Sequence, residues 1–250
     1  MKHTLAAVAV LITLGSVSTA NADEIKIATG YTFIKRVFDP IRSAFRQKTG
    51  IDIKILYNDP LPALAELEKG AADVAGASLA SKDWLELARN TGMPVQESSS
   101  YTAYVPATEK SMIVVNAKNR VQTLSKEQLK AIFTGRISNW REVGGADAPI
   151  LVVWPIVSSG AVIIVKTKIM DNEPLTKTIY DVESMADTPD AIAATPEAIG
   201  IVTDMKAGKG LKEVAPAIER PLTLLYKGTP NPRLQKLLDF LKSEGKQYIQ

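Results

Sequence analysis

The chain has 250 residues with a formal net charge of +3, its 30 basic and 27 acidic residues interspersed along the whole length; that balance points neither to nucleic acid nor to a membrane surface as partner. It has no Cys, and its single His is His3, which excludes disulfides, thiol nucleophiles, a Cys-borne lipid anchor and, beyond the first residues, imidazole chemistry. Only Ser-Lys or paired-carboxylate catalysis is left, and neither has a visible constellation, so no enzyme activity, catalytic residue, metal site or cofactor is expected.

In chain order, MKHT and the apolar run Leu5–Leu14 lead to small residues at Ala20 and Ala22. This is the pattern of a secretory signal peptide over 1–22, cleaved after Ala22, and it predicts a periplasmic protein. No later stretch approaches the roughly 18–20 apolar residues of a spanning helix, so stable membrane insertion is not expected. Glu24–Thr29 alternates charged and apolar residues as a strand, and Ile34, Val37, Phe38, Ile41 and Phe45 fall at helical spacing up to Gly50, with Pro40 predicting a kink or restart. Ile51–Tyr57 reads as a second strand, Pro62 to Gly70 as a helix, Asp73–Ser78 as a short buried strand. Ser81 is expected to cap a helix carrying Trp84, Leu87 and Ala88. Such alternation predicts an α/β fold with a parallel sheet and helices on both faces, and ligands beyond the carboxyl ends of its strands.

From Tyr104 an extended stretch centres on Ser111–Asn116. Ser125 and Gln128 then form a capping box for a helix with Leu129, Ile132 and Phe133 on one face. PILVVW reads as a strand. Val162, Ile163, Ile164 and Val165 are strand formers by propensity. A short helix is expected between Pro189 and Pro196, with a strand from about Ile199, and Asn231-Pro232 opens a last helix carrying Leu234, Leu237, Leu238 and Leu241.

Three hydroxyl-rich turns stand where a predicted strand hands over to a predicted helix: Thr29-Gly30-Tyr31-Thr32, Ser78 to Ser81, and Ser158-Ser159-Gly160. The first N–H groups of a helix lack intrahelical acceptors and lie at the positive end of the dipole, so small polar residues there make an anion cradle. The simpler alternative for each turn is a Ser or Thr that only caps its own helix. Glu66, Glu68, Asp73 and Asp83 are spread over element surfaces and ends, where solvation suffices to explain them.

The segment LSKEQLKAIFTGRISNWREVGGADAPILVV (Leu124–Val153) resembles the signature stretch of phosphate-type periplasmic solute-binding proteins, the receptors of ABC importers. TFIKRVFDPIRSAFRQKTGIDIKI, LEKGAADVAGAS, EKSMIVVNAKN and TPEAIGIV lie in the family's order, so the resemblance covers essentially the chain after residue 22. It implies the type II periplasmic binding protein fold: two α/β lobes, 23–106 plus 202–250 and 107–201, joined by two crossover strands around a ligand cleft. It also implies capture of a small anionic solute such as phosphate, delivery to an ABC permease, and a monomeric state. A degenerate relative, acting as a sensor or interaction module that does not bind phosphate, is the other reading. Residue by residue, Thr32 and Phe33 match anion-binding positions of the first lobe, and Ser159-Gly160, preceded by Ser158, match the second-lobe turn. Pro155 stands where the family has its arginine, Ala161 where it has a threonine, Ser78 where it has an aspartate, and Pro60 near the place of a serine. An anion so held would rest on amides and hydroxyls, without the charge-assisted arginine bonds worth about 1.5–3 kcal/mol each.

Overall fold

The computed structural model describes residues 23–156, 159–203 and 209–249; the expected export segment 1–22 and Ser158 lie outside them. Period-two alternation produces the first strands: β1 (Glu24–Thr29) pairs in parallel with β2 (Asp52–Tyr57) and with β3 (Val74–Ala77). A second parallel set is β5 (Leu151–Pro155), with β6 (Ile179–Val182) on one side and β7 (Ala198–Thr203) on the other. Two long strands join the sets, β4 (Tyr101–Asn116) and β9 (Ile218–Lys227), antiparallel to each other. Together with β8 (Leu211–Glu213) on β4, nine strands among the described residues make one sheet in the order β2-β1-β3-β9-β4-β7-β5-β6. The predicted parallel sheet is therefore mixed. The parallel part belongs to each lobe, and the antiparallel part is the pair of crossover strands that the local pattern alone did not show.

Helices cover both faces, as expected. On one face of the first lobe, Phe33, Val37, Phe38, Ile41 and Phe45 pack with Ile25 and Ile27 and with Leu234, Leu237 and Leu241 of α8 (Pro232–Lys242). On the other face, α3 (Pro60–Glu68) and α4 (Ser81–Asn90) bring Leu64, Leu67, Trp84 and Ala88 against Ala28 and Ala75. In the second lobe Val152 and Trp154 enter one cluster with Leu129, Ile132 and Phe133 of α5 (Lys126–Phe133), while Val153 enters another with Ile192 of α7 (Thr188–Ala194). Successive residues of β5 thus feed opposite faces, as a strand's geometry requires.

Local signals are met in most places. The Ser125 capping box is formed, with Gln128 N donating to Ser125 Oγ at 3.2 Å and Ser125 N to Gln128 Oε1 at 2.8 Å. Asn231 Oδ1 accepts from Leu234 N at 2.9 Å to start α8. The restart at Pro40 takes a specific form: α1 (Tyr31–Phe33) runs into a π turn, Ile34–Phe38, before α2 (Asp39–Thr49). Asp39 N donates to Ile34 O, five residues back, and this wider turn accommodates a proline that has no N–H to donate. One expectation is corrected. Ser81 is the first residue of α4 and Ala80 its N-cap, without a side-chain cap. The helix expected after Ser158-Ser159-Gly160 is α6 (Gly160–Lys168), and it contains the strand-forming run Val162–Val165.

The reason that this β-branched run is helical is tertiary. All residues from Gly160 to Val165 are buried. Val162, Ile164 and Val165 pack into the second lobe, whereas Ile163 joins the cluster of Leu64, Trp84 and Leu85 in the first. Lys168 of α6 also reaches Asp83 of α4 at 3.6 Å. A helix enclosed by both lobes is apolar all round, and burial outweighs the modest helix propensity of its β-branched residues.

Candidate functional site

The carboxyl ends of β1, β2 and β3 and those of β5 and β6 border one cleft of about 640 Å³, counting its open mouth. Five of the six sequence-predicted site residues line it: Thr32, Phe33, Ser78, Ser159 and Gly160. The sixth, Ser158, lies outside the described residues.

From the first lobe, Gly30 is extended (φ −98°, ψ −177°) and turns β1 into α1. Ile34 N reaches Gly30 O at 3.2 Å, so the amides of Tyr31, Thr32 and Phe33 form the first turn, where no earlier carbonyl is available. Thr29 Oγ1 donates to Gly76 O at 2.9 Å and locks β1 to β3 beneath that turn. A side chain on Gly76 would stand 2.7 Å from the same Oγ1. Ser78 follows β3 and is 8% exposed; its hydroxyl has no hydrogen-bond partner among the described residues. From the second lobe, Ser159 caps α6, its Oγ accepting from Val162 N at 3.4 Å. Gly160 is the first residue of that helix and stands against Ser78.

Sequence reasoning missed the floor under that junction. Arg220 of β9 and Glu109 of β4 are register partners across the crossover, 2% and 1% exposed, and form an ion pair. Arg220 Nη1 also donates to Ser78 O at 3.0 Å. A Cβ built on Gly160 would meet that Nη1 at 2.7 Å and Ser78 O at 2.8 Å. The cleft lining itself carries no Lys, Arg or His among the described residues, and its one carboxylate is Asp59. A cradle of amides and hydroxyls is thus what the lining offers, but a guanidinium lies directly behind it, already matched by Glu109. No local sequence signal marks this pair, because 111 positions separate its members. Tyr31 does reach the cleft; neither Lys35, which pairs with Asp39 at 2.9 Å, nor Lys82 is part of its lining.

The match to a family model decides the wider assignment: residues 15–244 match the PBP superfamily domain. The chain belongs to the PBP superfamily. A relative, the phosphate-binding protein PstS of Bacillus subtilis (strain 168), is 34% identical over an alignment of 147 residues that covers 52% of this chain and 48% of that protein. The chain thus spans about half the length of this curated relative. Among solved structures, an ABC-type phosphate transport receptor from Vibrio cholerae superposes with a TM-score of 0.73 at 24% identity, covering 90% of this chain and 96% of that one. A phosphate ABC transporter substrate-binding protein with bound phosphate, from Clostridium perfringens, gives 0.72 at 21% identity with the same coverages. At that identity the likeness speaks for the fold. The two lobes, the crossover strands and the cleft between them are those of a type II periplasmic binding protein, as the resemblance at Leu124–Val153 implied. No helix among the described residues is long and apolar enough to cross a membrane.

Proposed function

We propose that this PBP-superfamily protein is a periplasmic receptor that captures a small oxyanion of the phosphate type between its lobes and hands it, as a monomer, to an ABC permease. Binding, not catalysis, is the whole of its chemistry in this reading. The observation that carries it is the convergence of two helix starts from different lobes, Tyr31–Phe33 and Ser159-Gly160, on a cleft that also receives the Ser78 hydroxyl, unpartnered among the described residues. Desolvated helix termini hold anions because their amides and dipoles both face the charge. We also place the lobe boundaries at 23–106 plus 202–250 and 107–201, the first within β4 and the second within β7. Support for that division comes from the separate apolar clusters of the two lobes, with Val214 of the 202–250 segment packing into the second-lobe cluster.

The test is a thermal-unfolding panel of phosphate, sulfate, molybdate, tungstate and small organic acids. A ligand at about 100 times its Kd adds about 2.7 kcal/mol of stability, visible as a clear rise in Tm. A flat response to every oxyanion would overturn the transport reading in favour of a sensor or interaction module.

A further inference from the structure

The cleft has two chemically different ends, and the sheet order assigns them. On the hinge side lie the ends of the inner strands β1, β3 and β5, which supply Thr29, Ser78, Ser159 and the helix-start amides. On the outer side lie the ends of β2 and β6, the two edge strands of the sheet. Each edge strand delivers apolar groups to the same mouth: Tyr57 and then Pro60 after β2, Met185 and Ala186 after β6. Tyr31 joins them from the first turn of α1.

Two further observations sharpen this. Tyr57 is 64% exposed and Tyr31 39%, so both rings stand in solvent at the cleft mouth although they are large enough to reward burial. In the facing loop, Ser184 Oγ and Ser184 N both donate to Asp187 Oδ2, at 2.7 and 2.9 Å. The polar group of that loop is thereby engaged within its own turn, which leaves Met185 and Ala186 as the surface offered to a solute.

We propose that the solute is an organic oxyanion, with its anionic head against the amides and hydroxyls of the hinge side and one compact apolar or aromatic substituent between Tyr31, Tyr57 and Met185. This rests on the oxyanion-receptor reading above and narrows it. A bare tetrahedral ion would leave the outer half of the cleft to water, whereas a substituent there buries apolar surface from both lobes when they close. That the described lining carries no cation fits the same ligand class, because a head that brings apolar contact depends less on charge-assisted bonds.

The experiment is calorimetric titration of the protein with inorganic phosphate, methylphosphonate, phenylphosphonate and benzoate, repeated on Tyr57→Ala and Met185→Ala. Both variants alter groups at the cleft mouth, and unchanged Tm confirms that each is folded. The expected result is phenylphosphonate or benzoate binding at least about tenfold tighter than phosphate, with the two arms telling which head group is preferred. Both variants should then lose most of that preference while leaving phosphate affinity unchanged. Phosphate binding as tightly as the aryl ligands, or a preference that survives both variants, overturns this inference and leaves the oxyanion receptor standing. Binding of none of the four in titration, together with no Tm rise across the oxyanion panel, overturns both.

Discussion

The two turns that face each other across the cleft are built on the same plan and stabilised differently. The first-lobe turn opens a helix with one wet face, and its apolar residues recur at helical spacing, so it is readable from Ile34 to Phe45. The second-lobe turn opens α6, which is dry on every side from Gly160 to Val165 because both lobes enclose it. Its periodicity is erased by burial. The difference teaches that one lobe carries a self-sufficient helix, whereas the other carries a helix whose environment exists only when the lobes meet.

The largest expected effect comes from the crossover pair beneath the second turn. Arg220→Met leaves Glu109 buried without its cation, which costs about 3–5 kcal/mol in comparable sites. Urea unfolding should show that loss, and the Glu109→Leu, Arg220→Met double variant should recover most of it. An Arg220→Met protein as stable as the parent would mean the pair is not the floor of the site. Next is Gly160→Ala. The new methyl meets Arg220 and Ser78, a strain of about 1–3 kcal/mol at the junction of the two lobes. Thermal unfolding of the free protein should show that loss, and titration weaker ligand binding. The matching change in the first turn, Thr32→Val, removes one hydroxyl and no backbone space, so its loss should be about tenfold or less.

The smallest effect serves as a control far from the cleft. Hydrogen bonds from Lys130, and then from Lys126, hold the Asp171 carboxyl below its ordinary value. Those from Lys130 and Arg136 do the same for Glu173. Glu173, then Asp171, raises the Lys130 ammonium in return. Depressed carboxyl values mean stability present above the ordinary carboxylate range and lost as pH falls through the folded values. The raised Lys130 value means stability present at neutral pH and lost only at high pH. Lys130→Met should therefore flatten the decline of Tm below about pH 4, slightly, since these groups are largely solvated. Ligand affinity at neutral pH should not change.

How much of this was legible can be read from particular residues. Thr32, Ser78 and Ser159-Gly160 were found because hydroxyls and glycines at strand ends are a local signature, and Phe33 only through the family resemblance. Tyr57 lies on a strand that was recognised, yet nothing in its neighbours says that it faces a cleft. Met185 and Ala186 were missed because β6 is only four residues long, with two of them exposed, too short for a period to show. Arg220, paired with Glu109 behind the lining, was missed because it sits in a strand the local pattern did not single out.

The sequence by itself determined the elements whose information lies within one or two turns of chain: the capping box at Ser125, the start of α8 at Asn231, the restart at Pro40, and the hydroxyl turns. Capping bonds and amphipathic spacing act over three to five residues, so they can be read without knowing what packs against them. The tertiary structure alone decided that the β-branched run of α6 is helical, that Arg220 meets Glu109 under Gly160, and that the cleft is polar toward its hinge and apolar toward its mouth. Those outcomes depend on burial and on the order of strands in the sheet, which bring together groups more than a hundred residues apart and override what each segment prefers alone.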